Sequence, residues 1–284
     1  MKLINQSFEI LEQKDFTITG IKKFIERCGR VCYKSEDRIT DDSYEKFVNM
    51  LESRGHDRPL EFGTVHLKMY ISDFHKLRDT LCINNMWNDQ WIKYHYAGNL
   101  TYVTTNYRYY LAIIKIFPSA EKDFVPQDDE LYPKRYTVHF ITSRGIMDEF
   151  RTHVGLSHLA ESSRYCSYDK NRFGNELTFI IPNWVNTNYP NKEQEGPSVA
   201  SIEWSTAMLD AEASYMNLIK MGCTAQEARE VLPLAVKSEL ISCGFEDAWS
   251  NFFYRRCAKD AHPMAREIAT KIRDKFKELN YVNQ

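Results

Sequence analysis

The chain has 284 residues, 43% of them hydrophobic and 27% charged, with only 11 Gly and 9 Pro, so it can bury a large core and is not a disordered, collagen-like or low-complexity assembly. Its 37 Lys and Arg against 39 Asp and Glu give a formal net charge of −2, which excludes the basic footprint of a protein that coats a nucleic-acid polymer but allows a basic pocket for a small anion. No apolar run of about 18 residues occurs, the first residues carry scattered charges where a leader would be apolar, and the seven cysteines form no CxxC pair. The expectations are therefore a cytoplasmic protein with reduced thiols, no membrane partner and no metal site.

In chain order, Ile21, Phe24, Ile25 and Cys28 recur at helical spacing and predict an amphipathic helix over Gly20–Arg30. A second helix is expected over Asp41–Ser53, with Phe47, Met50 and Leu51 inward and the loop CYKSEDRIT between the two. Alternation over Thr64–Tyr70 predicts a half-buried strand, after which Ser72-Asp73 can cap a helix through Leu81. Tyr102–Thr105 and Tyr136–Ile141 read as further strands, and Gly145–Val154 is short and mixed. Ser157–Lys170 is so rich in Ser, Arg and Tyr that a loop is expected. Beyond it come a brief strand (Leu177–Pro182), an exposed linker (Asn186–Gly196), a long amphipathic helix (Ala200–Met221) and a helical turn (Ala225–Glu230) stopped before Pro233. Val236–Cys243 alternates like a strand, and Phe245–Arg255 and Pro263–Leu279 read as helices. Non-adjacent strands without a βαβα rhythm predict an α+β fold, a mostly antiparallel sheet flanked by helices, in a single domain over residues 1–284.

No GxGxxG, GxxxxGK[ST] or GxSxG motif is present. The densest polar cluster is RTHVGLSHLAESSRY, Arg151–Tyr165, with two His, three Ser, Glu161 and Arg164. Such a set suits an anion, because Arg offers a bidentate fork to phosphate while Ser hydroxyls and loop amides add hydrogen bonds. The same residues would equally serve a solvated loop. EAREVLP (Glu227–Pro233) and FFYRRC (Phe252–Cys257) contribute further arginines, each of which alone would read as a surface residue.

Six segments, in order, carry a resemblance: RVCYKSE (Arg30–Glu36), GHDRPLEFGTVHL (Gly55–Leu67), TTNYR (Thr104–Arg108), Thr142–Pro182 with its serine-rich cluster, EAREVLP, and GFEDAWSNFFYRRCAKDAHPMAREIA (Gly244–Ala269). Together they resemble the flavin-dependent thymidylate synthase family, ThyX, over nearly the whole chain. The resemblance implies the ThyX fold and reductive methylation of dUMP to dTMP at C5. It brings FAD as cofactor, methylenetetrahydrofolate as carbon donor, NADPH as reductant, and a homotetramer whose sites are shared between subunits. It also implies roles for individual residues. Ser162 and Arg164 correspond to the serine and arginine that hold the nucleotide phosphate. Arg229 matches a second nucleotide-binding arginine, Arg256 the arginine that contacts and activates the pyrimidine, and Glu149 a nucleotide contact. Arg256 and Ser162 are thus the catalytic candidates, with Ser162 placing the phosphate and no serine or cysteine attacking the ring. Cys32, His56, Glu61, His153 and Asn251 match FAD contacts.

The signature RHR of that family reads Thr152-His153-Val154 here, so two cations are missing, and Arg151 sits one residue early. On a helix one residue turns a side chain by about 100°, so Arg151 is expected to point elsewhere unless its stem reaches round. The family's acidic or amide residue before Ser162 is Ala160, and the histidine after PLE is Phe62. Three readings stand: a thymidylate synthase with a rearranged flavin pocket and weakened FAD binding; a related enzyme making another C5 modification such as hydroxymethylation; and a nucleotide-binding homologue without synthase activity.

Overall fold

The structure, a computed structural model, describes residues 1–162, 168, 174–185 and 198–282. Arg164 and the expected linker lie outside the described residues, as does most of the expected loop beyond Ser162.

Two short strands, β1 (Lys2–Ile4) and β2 (Ser7–Leu11), lead into helix α1 (Ile18–Tyr33), whose first turn is capped by the Thr17 hydroxyl accepting from the Gly20 amide. α1 runs past the expected Arg30 because Val31 extends the buried stripe of Ile21, Phe24, Ile25 and Cys28, and it ends where Lys34 takes a left-handed backbone, φ 47°. Cys32 and Tyr33 are therefore helical rather than part of a loop. Helix α2 (Ser43–Ser53) buries Phe47, Val48 and Leu51.

Strand β3 (Thr64–Tyr70) matches its expected bounds and runs directly into α3 (Ile71–Ile83), so that Tyr70 rather than Ser72 or Asp73 stands at the cap. β4 (Ile92–Ala97), β5 (Leu100–Asn106), α4 (Tyr107–Ile116) and β6 (Phe124–Val125) complete this half. The strands form a four-stranded antiparallel sheet in the order β4-β5-β3-β6. β4 was not expected from IKYHYA. It exists because it pairs with β5 from Ile92↔Thr105 to Ala97↔Leu100, a hairpin contact that single-strand periodicity does not report. Val65, Leu67, Phe74, Leu77, Val103 and Ile113 fill its core.

The second half comprises β7 (Arg135–Ser143), α5 (Arg144–Arg151), β8 (Ser157–Ala160), β9 (Thr178–Ile180), α6 (Val199–Lys220), α7 (Ala225–Ala228), β10 (Lys237–Phe245), α8 (Glu246–Arg256) and α9 (Pro263–Glu278). Its sheet, ordered β2-β7-β10-β8, is antiparallel, and β1 pairs with β9 in parallel. The fold is thus α+β with mostly antiparallel pairing. The mixed stretch 145–154 becomes α5, opened by the Ser143 hydroxyl accepting from the Ile146 amide at 3.4 Å. The start of the expected loop becomes β8. Its register against β10 buries Leu159, while the Ser157 hydroxyl donates to buried Glu61 at 2.6 Å, so a polar sequence makes a sheet edge. One face of this sheet packs against α8 and α9 around Trp249, Phe252 and Phe276, and the other meets α1 through Ile241, Cys243, Phe24 and Cys28. Among the described residues no helix is long and apolar enough to cross a membrane, and no cluster of metal-ligating side chains occurs.

Candidate active site

The end of α1, the turn through residues 55–62 and the outgoing end of β8 enclose a cavity of about 590 Å³ lined by Cys32, His56 and Ser162. The backbone brings two of these together: the Ser162 amide donates to the Cys32 carbonyl at 3.3 Å, fastening the chain after β8 to the last turn of α1. His56 Nδ1 lies 3.2 Å from the Tyr33 hydroxyl. Arg58, Arg108 and Arg151 line the same cavity, so three cationic side chains border the residues matched to flavin and phosphate contacts. Arg151 lines this cavity while its Nη2 pairs with Asp148 Oδ1, three residues back on α5, at 3.1 Å. His158 completes the wall between Ser242 Oγ at 2.8 Å and the His153 carbonyl at 3.0 Å, and burial pushes its imidazole down to about 4, so it is neutral at pH 7.

Glu61 lies behind this cavity. Its two carboxylate oxygens accept from Arg108 Nη1 at 2.7 Å and the Ser157 hydroxyl at 2.6 Å, and its carbonyl accepts from Arg135 Nη2 at 2.7 Å. With the residue 2% exposed, those bonds orient Arg108 and pin β8.

On the other side of the chain at residues 161–162, a cavity of about 280 Å³ is lined by Arg144, Arg229, Lys237, Ser238 and Glu161. Successive residues of extended chain face opposite ways, so Ser162 serves the first cavity and Glu161 the second. Lys237 Nζ donates to Glu161 Oε2 at 3.0 Å and to Glu239, which also receives Lys34 and lies 2.8 Å from His139 Nε2. Burial alone would raise the Glu239 carboxyl, but the His139 bond and the charges of Lys237 and Lys34 outweigh it and hold the group well below the carboxylate range. Burial likewise opposes the Lys237 ammonium, and Glu161 and Glu239 overcome it and raise the group. Glu161 Oε1 is buried without a hydrogen-bond partner among the described residues.

The remaining expected residues cluster elsewhere. Arg256 Nη2 donates to the Glu149 carbonyl at 2.7 Å and Nη1 to Glu149 Oε2 at 3.3 Å, with the guanidinium over the Phe150 ring. Its Nε is buried and has no hydrogen-bond partner among the described residues, as is true of Nε2 of His153, whose ring meets Phe252 edge-on at 5.3 Å. Burial, aided by the Arg256 charge, pushes the His153 imidazole down. Asn251 Oδ1 accepts from Arg255 at 3.3 Å on the outer side of α8. Within one chain, then, Cys32, His56 and Ser162 share a cavity, Arg229 lines a second, and the Glu149–Arg256 pair lies apart from both.

The sequence profile described as Thymidylate synthase complementing protein matches residues 134–280, more than half of the chain. The chain belongs to that family. Membership makes it an enzyme of the pyrimidine-nucleotide C5-methylation type. Two solved structures are similar to it. One is a UMP/dUMP methylase, PolB from Streptomyces cacaoi, bound with 5-Br dUMP, at 13% identity over 99% of this chain and 93% of that one, TM-score 0.45. The other is PolB with 5-Br UMP, at 12% identity over 99% and 92%, TM-score 0.46. No curated protein matches.

Against the signature of the thymidylate synthase complementing family, Thr152 bonds back to the Glu149 carbonyl at 2.8 Å and Val154 is 82% exposed, so neither faces the first cavity. Arg58, Arg108 and Arg151 supply its cations instead. Arg58 and Arg108 were not expected as site residues although both lie in the resembling segments, and neither was Lys237, whose only signal was a charge two residues before Glu239 in the expected strand.

Proposed function

We propose that this protein is a flavin-dependent thymidylate synthase that methylates dUMP at C5 with methylenetetrahydrofolate as carbon donor and NADPH as reductant, acting in the cytoplasm as a homotetramer with shared sites. The observation that carries the reading is the first cavity, where Cys32, His56 and Ser162 meet three guanidinium groups. That donor set suits a phosphate-bearing cofactor, since guanidinium forks match phosphate oxygens and cost little to desolvate. Its volume of about 590 Å³ lies within the usual range for ligand and cofactor sites.

FAD, when bound, supplies the electron transfer that protein side chains cannot. Arg58, Arg108 and Arg151 would hold its phosphates, Glu61 fixing the fork of Arg108, while neutral His158 and the Cys32 side chain close the wall. Ser162 would bind the nucleotide phosphate rather than act as a nucleophile, its neighbour Glu161 being held by Lys237 on the opposite side of the chain. In the second cavity Arg144 and Arg229 provide cations for the nucleotide, with Glu161 held by Lys237 in the same wall. Arg256, oriented by Glu149, would be the cation facing the pyrimidine as charge develops on the ring. The separation of Arg229 and Arg256 from Ser162 within one chain favours assembly of each site from more than one subunit.

The test is reconstitution with FAD, followed by incubation with dUMP, methylenetetrahydrofolate and NADPH. A flavin absorbance band and a product of dTMP mass are expected. A hydroxymethylated product, or a protein that stays colourless, would overturn the reading. Complementation of an Arg164→Ala variant by an Arg229→Ala variant in mixed oligomers is the test of shared sites.

A further inference from the structure

The segment joining α3 to β4 folds over the start of α4 and leaves a second kind of cavity, about 380 Å³, walled by Trp87, Trp91, Met86 and Tyr109 and floored by Arg108 and Asn106. Its walls are fixed in place. Trp87 Nε1 donates to Asp89 at 3.1 Å and the ring packs edge-on against Phe74 and Tyr94; the Trp91 ring lies 5.6 Å from that of Tyr109, whose hydroxyl donates to the Met86 carbonyl. Rings held this way need little further ordering, so a flat ring entering the cavity gains aromatic contact at low cost, although Arg78 already lies over the Trp87 ring at 5.8 Å. Polar side chains line it too: Glu61, Asn106 and Arg108, with Asn85 and Asn88 flanking Met86 and Trp87 in the chain. Asn106 Oδ1 is taken by the Tyr109 amide at 2.9 Å, so the donor end of that amide is what it offers the cavity. Arg108, paired with Glu61 and Asp57, lines both this cavity and the one containing Ser162, and a guanidinium with five N–H donors has some left beyond those two carboxylates.

We propose that this aromatic cavity is a binding site for a planar nitrogen heterocycle carrying an anionic group. The ring lies against Trp87 and Trp91, and the anion reaches Arg108 at the junction with the first cavity. That chemistry is shared by the pterin of a reduced folate and by the purine of a nicotinamide dinucleotide. The site stands on its own geometry; only its service to a co-substrate rests on the function proposed above. A molecule bound here would approach the cavity of Cys32, His56 and Ser162 from the side of Arg108, leaving the face of Arg229 free.

The test titrates the purified protein calorimetrically with 5-formyltetrahydrofolate and, separately, with 2′,5′-ADP, with dUMP titrated as an independent reference. The half-buried Ala112 lines the cavity from α4, so Ala112→Trp fills the slot without removing a packed side chain. Saturable binding of either probe, weakened about tenfold or more by Ala112→Trp and by Trp91→Leu while both variants melt cooperatively, is the expected result. The probe that binds identifies the source of the ring. If neither probe binds, or if Ala112→Trp with an unchanged melt binds it as well as the parent protein does, the proposal fails. Loss of dUMP binding alone would count against the proposed function and not against this site.

Discussion

The sheet β4-β5-β3-β6 buries uncharged polar groups, the hydroxyls of Thr101, Thr104 and Thr105 and the imidazole of His66, whereas β2-β7-β10-β8 holds charges: Lys237, Glu239 and Glu161, with His139 alongside. Both are four-stranded and antiparallel, so strand pairing does not account for the difference. A buried ion network is seldom more stable than a packed apolar core of the same volume, and removing one member is severe. A sheet that keeps such a network between two cavities holds its charges for what they orient, and the sheet without them is free to be optimised for packing. The aromatic cavity belongs to the packed half and the cationic ones to the charged half, with Glu61 and Arg108 joining them.

The sharpest way to break this contrast is Lys237→Met, which keeps the stem, takes the cation from buried Glu161 and leaves Glu239 with Lys34 and His139 alone. Urea unfolding should show a loss of about 3–5 kcal/mol. Adding Glu161→Gln and Glu239→Gln should recover most of it, and failure to recover would mean that Lys237 matters for packing alone.

Acid should then act on both halves. His66 in the first sheet and His158 in the second are each pushed down to about 4 by burial from an ordinary 6.5. Depressed values place the stabilisation above pH 6.5 and remove it as pH falls towards 4, by roughly 1–3 kcal/mol for each group. Glu239, also depressed, adds a further loss as pH falls below the carboxylate range. His66→Phe, which keeps a ring between Phe16 and Tyr132, should flatten the fall in stability between pH 7 and pH 5; an unchanged slope would clear His66 of any part in it.

A smaller effect is expected from Ser162→Ala, with nucleotide KM up about tenfold and turnover retained, as for loss of one charge-assisted hydrogen bond. Loss of turnover with unchanged nucleotide binding would instead give Ser162 a chemical role. The smallest effect has the opposite sign. Thr104 Oγ1 is buried with no hydrogen-bond partner among the described residues, so Thr104→Val should raise stability by about 1 kcal/mol in thermal or urea unfolding, where the same kind of change in the charged sheet would be harmful.

Much of this fold was legible in the sequence. β3 keeps the bounds its alternation predicts, although Thr64–Leu67 are buried on both faces because the strand lies between β5 and β6, and α1 and α9 follow their apolar stripes. β4 and β8 were not legible, since they exist through their pairing with β5 and β10 and, for β8, through the acceptor Glu61 provides. The cluster at residues 151–165 pointed to the cavity, but Arg58, Arg108 and Lys237 come to the sites from separate segments, and nothing in their spacing announces convergence. Arg151 was expected to turn away on a helix. Instead α5 ends at that residue, and the side chain borders the first cavity.

β2 pairs with β7 from Ser7↔Ile141 to Leu11↔Thr137 and forms the outer edge of the charged sheet, although its residues come long before the matched stretch 134–280. Excising that stretch would bare a long strand with its amides and carbonyls unpaired, an invitation to edge-to-edge aggregation. Exchange of this region between relatives by recombination is constrained accordingly. A crossover near residue 134 would separate the sheet from its own border strand, and a functional chimera has to inherit both ends of the gene from one parent.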